Sequence, residues 1–313
     1  MPVRYAVVLL ILLSALPPLA ATLGQDFYIS LASRIMIFAL GATSLNLLLG
    51  YGGMLSFGHA AFFGTGAYTV AILAQHGVHS AWLAWPLAML VSALIAWPIG
   101  AISLRTRGVY FIMITLAFAQ MIYYVFVSLK SYGGDDGLAL EQRSGVGLGI
   151  DLKGDTTFYY ACLTLLVLAI FLLARLRRSR FGHALDAVKL NETRAEAIGF
   201  PVYRIKLVCF VLAAAVAGLA GALIANQSNF VSPGLMHWTQ SGMLMVMIIV
   251  GGLGHLLGGA IGAVFLLLLE ELLSAHTEHW QLALGIILLG VVLFAPRGLA
   301  RAGSLRNSLV ASR

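Results

Sequence analysis

Ten apolar runs follow one another along the chain, each bounded by charges or by clusters of Gly and Pro. They cover residues 3 to 23, 28 to 49, 54 to 74, 81 to 103, 109 to 129, 157 to 174, 206 to 226, 238 to 256, 257 to 274 and 280 to 296. A helix of about 20 mostly apolar residues crosses the roughly 30 Å of bilayer hydrocarbon, so runs of this length and number read as membrane spans. With 60% hydrophobic and only 10% charged residues in 313, the chain falls far below the charged fraction of about 25% of soluble domains. The expectation is an all-α polytopic integral membrane protein of about ten transmembrane helices, forming a single domain over residues 1 to 313.

The net charge of +7 would suggest a polyanionic partner in a soluble protein, but here the cations are grouped between apolar runs, as topology requires. The 32 residues from Arg175 to Lys206 hold 8 of the 19 Lys and Arg residues. Threading the spans with Arg4 inside puts Arg105, Arg107, this loop, Arg297, Arg301, Arg306 and Arg313 on the cytoplasmic side. The opposite side receives Asp26, the turn at 75 to 80, the acidic loop 130 to 156 and the turn at Glu278, with Lys130, Arg143 and Lys153 as its cations. Both termini are thus expected in the cytoplasm. Residues 3 to 23 are read as an uncleaved helix rather than a signal peptide, because no A-x-A site follows Pro17-Pro18. Cys162 and Cys209 lie inside apolar runs without ligand-spaced neighbours and read as packing thiols.

Four segments carry more polarity or glycine than a lipid-facing helix needs. Gly50 to Tyr68 holds six glycines in its first 17 residues together with Ser56, His59, Thr65 and Tyr68. Such a segment allows close packing of helix backbones, and a discontinuous helix can line a solute path. Gly52, Gly53, Ser56, His59 and Tyr68 are therefore expected at the bundle interior as pathway residues, with Thr115 and Gln120 of the fifth span as further candidates. Arg34 and Asn46 in the second span carry the same choice between helix contact and pore lining, and Arg34 is close enough to the outer edge to snorkel. A second glycine segment, Gly251 to Phe265, repeats a loose Gly-Gly-x-Leu then Gly-His pattern and leaves spans eight and nine open as two helices or one broken element. Glu270 and Glu271 read as one interior and one interfacial carboxylate, and Gly133 to Gly137 as a solvated acidic turn without the oxygen ligands of a calcium loop. No metal site is expected.

The fourth segment is the basic loop. Phe181, Leu185, Val188, Ala195 and Ile198 recur at helical spacing among charges, and Gly199 and Pro201 end the run. Such a helix, held between two spans without a core of its own, is expected to lay its stripe on the membrane or in a groove of another protein.

Taken together, Gly50-Tyr-Gly-Gly-Met-Leu-Ser-Phe-Gly-His-Ala-Ala-Phe-Phe-Gly-Thr-Gly-Ala-Tyr68, Asn191-Glu-Thr-Arg-Ala-Glu-Ala-Ile-Gly199, Gly251-Gly-Leu-Gly254 and Phe294-Ala-Pro-Arg-Gly-Leu299 resemble the membrane permease subunits of branched-chain amino-acid ABC importers, LivM type, over about residues 30 to 300. The resemblance implies a multi-pass permease of the bacterial cytoplasmic (inner) membrane. It pairs with a second, LivH-type permease, two cytoplasmic ATPase subunits and a periplasmic substrate-binding protein. It further implies that Asn191, Glu192, Arg194, Glu196, Ala197, Ile198 and Gly199 dock on the ATPase, and that ATP and Mg belong to the partner subunits, with no cofactor on this chain. The residues agree on one point: none of the four Lys follows a Gly, so a phosphate-binding Gly-Lys-Ser/Thr loop is absent, and no enzymatic activity is expected. Rival readings are an importer permease for another amino acid or a small amide such as urea, a proton-coupled transporter using Glu270 or His59, and a membrane enzyme pairing His59 with Asp135.

Overall fold

The computed structural model describes residues 13, 14, 16–18, 26–145, 147, 152, 154–294 and 298–300. Hydrocarbon offers backbone groups no partner outside the chain, so the apolar runs close their hydrogen bonds internally as helices. The helices are α1 (Asp26–Asn46), α2 (His59–Gln75), α3 (Ala81–Ser103), α4 (Val109–Ser128), α5 (Asp155–Arg177), α6 (Arg180–Leu190), α7 (Glu192–Ala197), α8 (Val202–Ser228), α9 (Trp238–Gly251), α10 (Gly258–Ser274) and α11 (Trp280–Phe294). Nine of the ten expected windows thus hold a helix; the window 3 to 23 lies mostly outside the described residues. Five stretches, Phe27–Tyr51, Ala81–Ser103, Val109–Ser128, Asp155–Arg177 and Val202–Ser228, are long and apolar enough to cross a membrane. The protein is an all-α, polytopic membrane protein.

Burial sorts these helices. In α1, 83% of the apolar window is buried, against 17% in α4, so α1 is central and α4 presents most of its surface outward. The other central element is α8, 27 residues long, which packs on α1, α2 and α3. Lipid tails are as apolar as Leu, so hydrophobic burial does little to drive such helices together, and close van der Waals contact must do so instead. At the crossing of α2 and α8 a Cβ on Gly66 would collide with the carbonyl of Gly218, and a Cβ on Gly218 would in turn meet Ser92 of α3. The hydroxyls left at this crossing pair locally: Ser92 Oγ donates to the Phe62 carbonyl at 3.0 Å and lies 3.3 Å from Thr65 Oγ1.

One expectation needs correction, and one choice that the sequence leaves open is decided. The span expected from residue 54 begins only at His59: α1 runs on through a π-helical turn, Leu47–Tyr51, and residues 52 to 58 form the connection. Spans eight and nine are two helices joined by residues 252–257, and their backbones touch where a Cβ on Gly251 would collide with the Gly258 carbonyl. With 14 residues, α9 is about 21 Å long, shorter than the hydrocarbon is thick.

The bundle has two chemically distinct ends. At one, Lys189 of α6 donates to the Gly50 carbonyl, Arg107 pairs with Glu192 and Glu196, and the Arg177 guanidinium lies 5.1 Å from the Tyr51 ring centroid. At the other, Leu138–Ala139 forms a two-residue antiparallel pairing with Phe230–Val231. There Gly145 N donates to the His79 carbonyl at 2.6 Å, and Arg143 pairs with Asp155 at 2.7 Å. The contacts therefore gather the loops into the same two groups that the charge pattern threads to opposite sides.

Candidate functional site

The connection between α1 and α2 brings most of the expected pathway residues into the interior. Ser56, His59, Tyr68 and Thr115 are at most 1% exposed, and Gly52 is buried with them. His59 opens α2 and its Nε2 is hydrogen-bonded to Ser44 Oγ of α1 at 2.8 Å, while Ser44 also donates to the Gly41 carbonyl. Next to it, the Ala60 amide donates to Ser241 Oγ of α9 at 2.8 Å. Three helices thus meet around the start of α2 through short polar groups. Beyond them lies an aromatic chain: His59 edge-on to Phe62, Phe62 edge-on to Phe210, and Phe210 edge-on to Phe111. Among the described residues, His59 Nδ1 and the Tyr68 hydroxyl are buried without a hydrogen-bond partner. Thr43 Oγ1, the Tyr51 hydroxyl and Ser103 Oγ share this state, and each such group calls for a partner that would satisfy it.

Gly53 departs from expectation: it is exposed, and its neighbour is the Lys189 side chain at the basic end, because the chain turns out of the bundle after the π-helical turn. Gln120 is half-buried on peripheral α4. His59 and Asp135 do not meet: His59 begins α2, whereas Asp135 sits in the glycine turn packed against Phe230 and Val231 at the far end. Glu270 pairs with Arg34 at 3.7 Å, so this carboxylate is held in an ion pair.

The basic segment is two helices instead of one. Asn191 breaks it, and its side chain caps α7 by accepting from the Arg194 amide at 2.9 Å; Ser179 caps α6 in the same way. The expectation that this segment lacks a core of its own is also corrected. Leu185, Val188 and Ala195 are at most 3% exposed, packed into the chain's own hydrophobic core, and Phe181 is half-buried against it. What remains outside is the tip, with Leu190 at 86% and Ile198 at 70% exposure. Glu192 is held by Lys206 and Arg107, and Glu196 by Arg107. Asn191, Arg194, Ala197 and Gly199 are exposed.

Sequence reasoning missed how this tip is wired to the bundle. Lys189 grips the Gly50 carbonyl at the π-helical turn, and a Cβ on Gly50 would lie 2.8 Å from the Gly254 amide. Asn46 then stitches the two glycine segments together, its Nδ2 donating to the His255 carbonyl at 2.7 Å and its Oδ1 accepting from the Gly254 amide at 3.1 Å. The loosely repeated Gly-Gly-x-Leu sequences therefore lie face to face, one at the end of α1 and the other at the end of α9. The available signal was the pairing of a buried-span Asn with two glycine breaks, but nothing in the spacing said they touch.

A bundle of apolar helices with a buried polar junction, and a charged helical tip fixed to that junction, defines the class of multi-pass membrane proteins. Comparison with known proteins gives the family. Residues 27–295 match the profile described as the branched-chain amino acid transport system / permease component, and the chain belongs to that family. It is 31% identical to the high-affinity branched-chain amino acid transport permease LivM of Salmonella typhimurium, over 87% of this chain and 69% of the relative. The LivM protein of Escherichia coli is 30% identical over the same shares. The LivH permease of Escherichia coli is 26% identical over 87% of this chain and 92% of its own length. No solved structure matches significantly.

Proposed function

We propose that this chain is the LivM-type permease subunit of an ATP-driven importer that carries branched-chain amino acids, Leu, Ile and Val, across the bacterial cytoplasmic membrane. In this reading it pairs with a LivH-type subunit to enclose the pathway, and two cytoplasmic ATPases and a periplasmic binding protein complete the machine. ATP and Mg stay on the ATPases. The chain has ten spans, with both termini and the basic end in the cytoplasm. Support for the pairing comes from its likeness to both LivM and LivH proteins, which makes the two halves relatives of one another.

The observation that carries the coupling role is the α6–α7 tip. Phe181, Leu185, Val188 and Ala195 of its apolar stripe pack inside the chain, yet Ile198, the last of the stripe, stands exposed beside Arg194, at the end of a segment bonded through Lys189 to the glycine junction. An exposed apolar residue ringed by charge is what a protein groove requires. When the ATPases close, the tip moves with them. The shift reaches the π-helical turn and the α9–α10 connection, changing how α1, α2 and α9 enclose His59, Ser56 and Tyr68. These residues then line the path, together with Gly52 and Thr115; Gly53 and Gln120 lie at its margins. Neutral hydroxyls, an imidazole and aromatic faces suit an amphipathic zwitterion, since no fixed interior charge holds it.

The test is substitution at the tip. Ile198→Asp and Arg194→Glu are expected to leave membrane insertion and thermal stability unchanged while abolishing uptake of labelled leucine, with ATP hydrolysis no longer stimulated by the loaded binding protein. Normal uptake in both variants would remove the tip from the coupling role. Competition by other amino acids and by urea in the same assay separates the branched-chain cargo from its rivals.

A further inference from the structure

A second polar feature lies outside this pathway, at the acidic end. There α1, α8 and α10 leave between them a cleft of about 390 Å³, lined by Phe27, Ser30, Leu31, Arg34, Gln227 and Glu271 among others. Its polar groups are of both signs. Arg34 has one acidic partner, Glu270 at 3.7 Å, and 41% of its side chain is exposed. Among the described residues the Glu271 carboxylate makes no ion pair. Gln227 uses its amide nitrogen on Ser30, donating to the Ser30 carbonyl at 3.0 Å.

Depth narrows what could fill this cleft. Arg34 is eight residues into α1, about 12 Å from its start, Gln227 is the penultimate residue of α8, and Glu271 is three residues from the end of α10. Phe27 and Tyr28, exposed by 58% and 53%, stand at the start of α1, about 10 Å outward of Arg34 along the helix, where aromatic rings gather at the bilayer interface. A half-exposed guanidinium there is costly against acyl chains but favourable against a phosphate, which takes two parallel hydrogen bonds from its planar fork. The carboxylate in the same cleft then suits a primary ammonium, and Leu31 and Ile224 suit the first carbons of a chain.

We propose that this cleft is a headgroup site for an aminophospholipid, with the phosphate against Arg34 and the ammonium against Glu271. A free zwitterionic amino acid carries the same pair of charges, but it has no chain to lay on Leu31 and Ile224 and does not belong to the interface. The lipid is distinct from the cargo, so the site stands whatever solute the protein carries. Occupancy neutralises Arg34 from the outside while Glu270 holds it from within, fixing the outer ends of α1 and α10 to each other.

The test compares the wild type with Glu271→Gln and Arg34→Gln, each as the full-length chain purified within the complex it forms in its own membrane and washed with a delipidating detergent. Retained phosphatidylethanolamine is counted per chain by mass spectrometry. The wild type is expected to keep it, Glu271→Gln to hold about tenfold less through the loss of one charge-assisted hydrogen bond, and Arg34→Gln to hold at least about tenfold less through the loss of two. Phosphatidylcholine, whose ammonium has no N–H, is expected to be retained equally by the wild type and Glu271→Gln. Excess free leucine is expected to displace nothing. Equal retention of phosphatidylethanolamine by the wild type and Glu271→Gln, loss of the lipid to leucine, or no retained lipid in the wild type would each overturn the assignment. Glu271→Gln leaves the Arg34–Glu270 pair intact, so its result reads the site even where Arg34→Gln impairs folding.

Discussion

Individual residues in this bundle act chiefly by what they leave out. Gly66 lets α2 lie directly on the backbone of α8 at Gly218, whereas Gly285 of α11 has nothing within 4 Å of where a Cβ would stand. Gly66→Ala is therefore expected to lower stability in detergent by about 1–3 kcal/mol through overpacking. Gly285→Ala should be neutral or stabilising by up to about 1 kcal/mol through helix propensity. Thermal unfolding of the two purified variants checks the contrast, and equal effects would contradict it. At this scale the sequence was a good guide to which positions matter and a poor one to whom they meet. Ser56, His59 and Thr115 could be picked out as polar groups in apolar surroundings, yet Ser44, which meets His59, and Ser241, which meets the Ala60 amide, sit on spans whose register no single sequence fixes. Gly53 was misplaced for a related reason. Helical periodicity cannot be followed through a π-helical turn and a seven-residue connection, so the face it would occupy was lost.

Elements were legible where hydropathy defines them and obscure where caps do. The limits of α4 follow from Arg107 and Lys130 that flank it, but the break at Asn191 depends on one side-chain hydrogen bond to the Arg194 amide, and Val188 and Ala195 keep a helical spacing of two turns across it. The stripe also could not say that its neighbour was the chain's own bundle. Three ion pairs fix α7, Glu192 with Lys206 and Arg107 and Glu196 with Arg107, and their environments differ. Lys206 is 13% exposed where it meets Glu192, whereas Arg107 is 67% exposed where it meets Glu196. Exposed pairs contribute about 0–1 kcal/mol, and partly buried ones more when broken on one side. Double-mutant cycles with neutral substitutions, read by thermal unfolding, should give a coupling above about 1 kcal/mol for Lys206 with Glu192 and below about 0.5 kcal/mol for Arg107 with Glu196. The reverse order would mean that α7 is held from the α3–α4 connection instead of from α8.

At the scale of the whole molecule a charged helical tip is seated on an apolar bundle, and the distribution of Lys and Arg predicts its polarity in the membrane. Hydropathy made the all-α polytopic class legible, because it records the bilayer itself and not any particular packing partner, and the Lys and Arg distribution supplies the orientation as an expectation. Contacts between loops sort into the same two ends that charge does. Asp136→Cys is accordingly expected to react with a membrane-impermeant thiol reagent in cells with a permeable outer membrane, and Arg194→Cys only after the inner membrane is opened. The native Cys162 and Cys209 are buried and should give no background. Labelling in the opposite order would invert the topology and detach the tip from any cytoplasmic motor. The central claim, that this chain encloses a path but draws its power from elsewhere, is met most directly by reconstitution into vesicles and measurement of labelled leucine. Accumulation is expected from the complete assembly with its ATPases, binding protein and ATP, and none from this chain by itself. Leucine concentrated by this chain alone, without nucleotide, would contradict the account.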